Sequence, residues 1–198
     1  MTPQTLPART LNEVRCYFLV TPCQACGKGP LHADLPSGSS YQGPLAVAAR
    51  CPDCAASEES SFDIERGLPA DPPRSELISL SDEPSRIIDL AGWGGLFYMF
   101  LSAADRQSDR IAIRRLGHQA ALCLVEALKF YEDDELPPPS AFFHDLSRTA
   151  FHEHPQKFAR QRLLDMKAKL PSLASMEHRL EQDQARQRQS WWQRLWER

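Results

Sequence analysis

The chain has 198 residues, 42% of them hydrophobic and 25% charged, which is enough for a real core under a polar surface. Its net charge of -3 is uneven: -2 over residues 1–66 (5 Lys/Arg, 7 Asp/Glu), -6 over 67–147 (7 and 13) and +5 over 148–198 (11 and 6). Nucleic-acid binding needs a concentrated basic face, which only the last part can supply, and no run approaches the ~18 apolar residues of a membrane span.

The opening, "MTPQTLPARTLNEV", has no basic stretch followed by an apolar one, so the expected location is the cytoplasm. "VRCYFLV", residues 14–20, is β-branched and aromatic and predicts a strand that carries Cys16. "GPLHADL" and "GPLAVAARC" predict two strands paired through "PSGSSYQG", and "SSFDI" predicts a short closing strand. Between and after these segments, Cys23 and Cys26 form one C-x2-C pair and Cys51 and Cys54 another, with 24 residues separating them. A two-residue gap lets the chain turn so that both sulfurs point at one ion, while backbone N–H groups spread the thiolate charge. Gly27 follows the first pair, where a positive φ closes the turn, but Ala55 stands at the matching place in the second, after Pro52. Cys16 and Cys123 read as small buried fillers, with Cys16 the nearer spare ligand.

This pattern, over residues 14–65, resembles the four-cysteine zinc ribbon. The resemblance implies one structural zinc ion held by Cys23, Cys26, Cys51 and Cys54, in a closed sphere with no open position for hydrolysis. Disulfides would need an oxidising compartment. "CQACG" followed by "CPDC" also resembles the rubredoxin knuckles, which would imply iron and electron transfer. That family's pattern also calls for a second glycine and for an aromatic soon after Gly27, and neither is present. A module of about 55 residues buries too little to offset its conformational entropy, so the metal is expected to hold it together.

Residues 67–84 contain four prolines and read as a linker, with one short strand at "ELISL". Ser85 is then expected to cap a helix through "RIIDLAGWGGLFYMFLSAA", whose apolar second half predicts burial and whose Gly92, Gly94 and Gly95 predict close packing. Ser108 and Asp109 open a second helix to Tyr131, with Ile113, Leu116, Ala120, Cys123, Ala127 and Phe130 on one stripe facing the first. The acidic "EDDELPPPS" ends it as a solvated surface. "SRTAFHE" predicts a short helix capped by Ser147, and Pro155 starts another, with Phe158, Leu163, Met166 and Leu170 sharing a face. His144, Asp145, His152, Glu153 and His154 gather in sequence, but positions 152 and 154 fall about 200° apart on a helix, so a solvated helix end is expected rather than a catalytic site. Ser172 caps a last helix that ends in Arg188, Trp191, Trp192, Arg194, Leu195 and Trp196, a basic aromatic patch suited to a partner.

The expected fold is α+β: a zinc-ribbon β module over 1–66, a linker over 67–84, an all-α helical bundle over 85–171 and a long C-terminal helix over 172–198. The expected function is a protein-binding or adaptor protein with structural zinc, not an enzyme and without a small-molecule substrate. The alternatives are an iron electron carrier and a nucleic-acid binder using the last helix.

Overall fold

The computed structural model describes residues 5–69 and 76–196, with residues 187–196 as helical backbone only. A four-stranded sheet and several helices make the chain α+β. Strands β1 (Thr5–Ala8), β2 (His32–Ala33), β3 (Gly43–Arg50) and β4 (Ser57–Ile64) lie in the order β1-β4-β3-β2. The expected pairing through "PSGSSYQG" is present: His32 faces Arg50 and Ala33 faces Ala49 across an antiparallel ladder. The closing strand is longer than expected, and β4 runs antiparallel to all of β3, from Gly43 opposite Ile64 to Arg50 opposite Ser57. Strand β1, which no pattern in the sequence had suggested, adds to the free edge of β4 in parallel. Val47, Ala49, Phe62 and Ile64 are buried at alternate positions and give the sheet one apolar face.

That face is covered by α1 (Leu11–Val20), and here the sequence reading is corrected, because residues 14–20 are helical and Cys16 lies in a helix. The Thr10 side chain accepts a hydrogen bond from the Glu13 N–H at 3.1 Å and so fixes the helix start. Leu11, Val14 and Phe18 recur at helical spacing and are buried, a stripe that outweighs the β propensity of the segment. Phe18 and Tyr17 meet Phe62 edge-to-face, with ring centroids 5.7 and 5.4 Å apart.

The N-terminus of α1 is tied to the helical region by buried charge. Arg9 donates to Glu13 from Nε at 2.8 Å and from a terminal guanidinium nitrogen at 2.6 Å, and that same terminal nitrogen reaches Glu126 at 2.7 Å. Its remaining nitrogen donates to the Glu83 carbonyl at 2.7 Å. Lys129 completes the group, donating to Glu126 at 2.6 Å and to the Ser81 carbonyl at 2.7 Å. Two cations thus balance two carboxylates that have lost their water.

The described part of the proline-rich segment is pinned along its length. Ile78 is fully buried, the Ile78 carbonyl accepts from the Thr10 hydroxyl, the Leu77 carbonyl from Asn12 and the Glu76 carbonyl from Gln119. The expected strand at residues 76–80 is not formed, because these carbonyls are taken by side chains rather than by a neighbouring strand.

Helix α2 (Leu90–Asp105) starts four residues later than a cap at Ser85 implies. Ser85 instead holds the N–H groups of Ile87 and Ile88, and Asp89 caps the helix by accepting from Gly92 at 2.8 Å. It packs along α3 (Arg110–Leu128), which Asp109 caps as expected. Of the three glycines only Gly92 marks a close approach, where an added Cβ would meet Ile88 at 2.9 Å and Val20 of α1 at 3.6 Å. The second half of α2 is not buried all round, since Tyr98 is 52% exposed. Helix α4 (Asp145–Glu153) is entered by His144 rather than Ser147, and Ser147 donates to Asp89 at 2.6 Å. Pro155 opens a single 3-10 turn to Phe158, after which α5 (Arg160–Ala168) begins. Phe142, Phe151 and Phe158 cluster beneath, with Phe142 and Phe151 stacked at 4.6 Å. Helix α6 (Leu173–Trp196), capped by Ser172 as expected, lies against α3 through the buried Leu180 and an Asp183–Arg114 ion pair. One hydrophobic cluster includes Phe62 of the sheet, Val14 of α1, Trp93 of α2 and Leu124 of α3.

His118 of α3 is fully buried, with Glu76 at 3.9 Å from one ring nitrogen and Glu177 of α6 at 3.8 Å from the other, both too far for a hydrogen bond. Burial lowers its pKa despite the two carboxylates. The unfolded chain therefore takes up this proton first, so the contribution of neutral His118 is complete above about pH 6.5 and is lost as pH falls below it. Chemical denaturation at pH 7 and pH 5 should show a smaller stability loss in His118→Leu than in the wild type. At the other buried charge, Arg9→Ala leaves Glu13 and Glu126 desolvated without their shared cation and should cost about 3–5 kcal/mol in the same assay.

Candidate metal centre

The centre is built from two turns delivered by different parts of the fold. The first leaves the end of α1, where the Thr21 N–H bonds the Tyr17 carbonyl, and carries Cys23 and Cys26 before β2. The second is the loop between β3 and β4 and carries Cys51 and Cys54. Each closes in the same way. The N–H of the residue after the second cysteine bonds the carbonyl of the first, Gly27 to Cys23 at 2.8 Å and Ala55 to Cys51 at 3.0 Å. A second bond seals each turn, from Cys23 to the Lys28 carbonyl at 2.7 Å and from Cys51 to the Ala56 carbonyl at 2.9 Å. Gly27 has φ +71° and Ala55 φ +62°, so the missing glycine did not change the turn: alanine takes the left-handed conformation in its place.

All four Sγ atoms lie within 4.8 Å of one another. Cys23 is 3.6 Å from Cys54 and Cys26 is 3.6 Å from Cys51, two contacts that run across the turns. A tetrahedral ion with metal–sulfur bonds of about 2.3 Å has sulfurs about 3.8 Å apart, and the donor set fits one such ion. Backbone N–H groups of Ala25 and Cys26 point at the Cys23 sulfur, and those of Asp53 and Cys54 at the Cys51 sulfur. The Cys54 N–H, with that of Asp53 behind it, pulls the Cys51 thiol down to about 7, whereas burial pushes the Cys23 thiol up to about 12. Ion binding must expel these protons, so affinity falls as pH is lowered.

Other side chains hold the two turns together. Glu58 of β4 accepts from the Gln24 N–H at 2.6 Å, and Lys28 stands 3.5 Å from Asp53 across the centre. No spacing in the sequence marks either contact. Beside the first turn runs an apolar groove of about 630 Å³, lined by Val20, Pro22, Pro30, Gly92, Gly95 and Leu146, the last of which is 79% exposed.

No family model, curated protein or solved structure matches this chain.

Cys16 and Cys123 are buried away from the cluster, and burial raises both thiols, Cys16 to about 12, as inert fillers require. His144, Asp145, His152, Glu153 and His154 are all exposed, and among the described residues the four cysteines are the one group of three or more His, Cys, Asp or Glu side chains placed to share an ion. The side chains of Arg188, Trp191, Trp192, Arg194, Leu195 and Trp196 lie outside the described residues, though the backbone of α6 continues to Trp196. Among the described residues no helix is long and apolar enough to cross a membrane.

An alanine in the left-handed region carries a cost of roughly 1–2 kcal/mol that glycine avoids, partly offset by glycine's greater freedom when unfolded. Ala55→Gly should therefore raise the stability of the metal-loaded protein by up to about 1 kcal/mol in thermal denaturation, and Ala55→Val should lower it.

Proposed function

We propose that the protein binds one structural zinc ion through Cys23, Cys26, Cys51 and Cys54 and works as a non-enzymatic, protein-binding module. The observation that carries this is the convergence of four sulfurs from two matched turns, each with backbone N–H groups aimed at its thiolates. Four thiolates fill a tetrahedral sphere and leave no position for a reacting water, so bound zinc would act as a cross-link between the end of α1 and the β3–β4 loop. The groove beside the first turn supports a protein partner, because its position makes its wall depend on how that turn is held. Reduced thiols are the state the site needs, which agrees with a cytoplasmic setting.

Iron in the same four-thiolate set is the second reading, favoured by the same tetrahedron, and it would make the protein an electron carrier. Metal analysis of the purified chain should give one zinc per molecule and a colourless solution; one iron with visible absorbance would replace zinc by the electron carrier. The basic end of the last helix keeps nucleic acid as an outcome to be measured: retention on a polyanion column that disappears when residues 186–198 are deleted would assign it.

Zinc binding in such sites is worth on the order of 10 kcal/mol, and each kcal/mol moves Tm by about 2–4 °C for a chain of this size. Chelation should thus lower Tm by more than about 10 °C. Because Trp93, Leu96 and Leu124 of α2 and α3 are buried and are not themselves ligands, the chelated protein should keep most of its helical circular dichroism at 20 °C.

A further inference from the structure

Each of the two 3.6 Å sulfur contacts joins a buried cysteine to an exposed one. Cys23 and Cys51 are buried, Cys26 and Cys54 are exposed, and the 3.6 Å contacts are Cys26 to Cys51 and Cys54 to Cys23. A closed structural site has no need of this arrangement, since four equally buried sulfurs would hold the ion as well. Its chemical consequence is that an oxidant from solvent meets the outer thiolate, and the inner thiolate stands within reach of whatever that oxidation leaves.

We infer that the metal centre is redox-gated: a hydroperoxide converts the two cross-turn sulfur pairs to disulfides, Cys26–Cys51 and Cys23–Cys54, and thereby expels the ion. The inference rests on the zinc reading above. In each pair the outer thiolate attacks the peroxide, forming an S–O bond as the O–O bond breaks, and hydroxide leaves with a proton from solvent as water. The inner thiolate then attacks the sulfenic sulfur, the S–S bond forms, the S–O bond breaks, and a second hydroxide departs as water. Two sulfurs lose two electrons and one peroxide gains them. Closing from 3.6 Å to a bond of about 2.05 Å needs a shift of about 1.5 Å, which two loops can share. Each disulfide removes two donors, so a single turnover leaves the ion with two protein ligands.

The position of the first turn gives the switch an output. Thr21, Pro22, Gly29 and Pro30 flank this turn and line the apolar groove, so freeing Cys23 and Cys26 from the ion alters that wall.

The test uses the intact, reduced, zinc-loaded chain treated with hydrogen peroxide under native conditions. Released zinc is read with a chromogenic chelator, free thiols are counted, and disulfides are mapped by mass spectrometry after alkylation. The expected result is one zinc released per chain, loss of four of the six thiols, bonds at Cys26–Cys51 and Cys23–Cys54, and recovery of zinc binding after reduction. Retention of zinc with all thiols intact overturns the proposal. So do disulfides within a turn, at Cys23–Cys26 or Cys51–Cys54, and irreversible sulfinic or sulfonic products in place of disulfides. A chain that carries no zinc before peroxide is added fails the structural-zinc reading itself, and the gate falls with it.

Discussion

A guanidinium cut off from water governs how this chain is assembled. Arg9 sits where β1 turns into α1, and its fork is shared between Glu13, in the first turn of that helix, and Glu126, near the end of α3. None of the three can be solvated where it lies, so each demands the others at hydrogen-bonding distance. That demand fixes the start of α1 against α3. With the start fixed and the Leu11, Val14 and Phe18 stripe pressed on the sheet, the end of α1 has only one place to go. It delivers Cys23 opposite Cys54.

The four-cysteine cluster is therefore positioned by the fold from both sides. One turn hangs from a helix, the other from a hairpin, and their internal hydrogen bonds are near copies. The left-handed residue that closes each turn is glycine in one and alanine in the other, which shows that the cysteine spacing and its closing bonds impose the conformation even on a residue that resists it. Local strain of this kind persists where surrounding structure over-determines it.

The cysteine pairs were the most legible feature of the sequence, because ligand spacing is a local property and the geometry it requires is stiff. The β2–β3 pairing and the presence of a closing strand were legible from turn residues and strand composition, whereas the full β3–β4 ladder was not. Helix α1 resembles a strand in its sequence because "VRCYFLV" is β-branched and aromatic, although Leu11, Val14 and Phe18 recur at helical period. Thr10 and Glu13, three residues apart, carry the helix-start pattern that marks this end of α1 in the sequence. Strand β1 was invisible in another sense, since four residues have too little pattern of their own and exist as a strand only because β4 offers an edge. Residues 67–84 read as a spacer because of their four prolines and their polar residues. Carbonyls within residues 76–83 are in fact acceptors for Thr10, Asn12, Gln119, Arg9 and Lys129, which no local window reveals.

Strand β1 has an implication for the order in which the molecule is made. It leaves the ribosome before the edge it joins, which arrives some fifty residues later, and the second carboxylate that its neighbour Arg9 reaches comes 117 residues after that arginine. Translation at about 5–20 residues per second leaves a nascent chain exposed for seconds with its first strand unpaired and a buried-type charge still in water. The sulfur ligands are complete well before that, once Cys54 has emerged. An ion captured then would hold the early hairpin and helix in place while the rest of the chain is still to come.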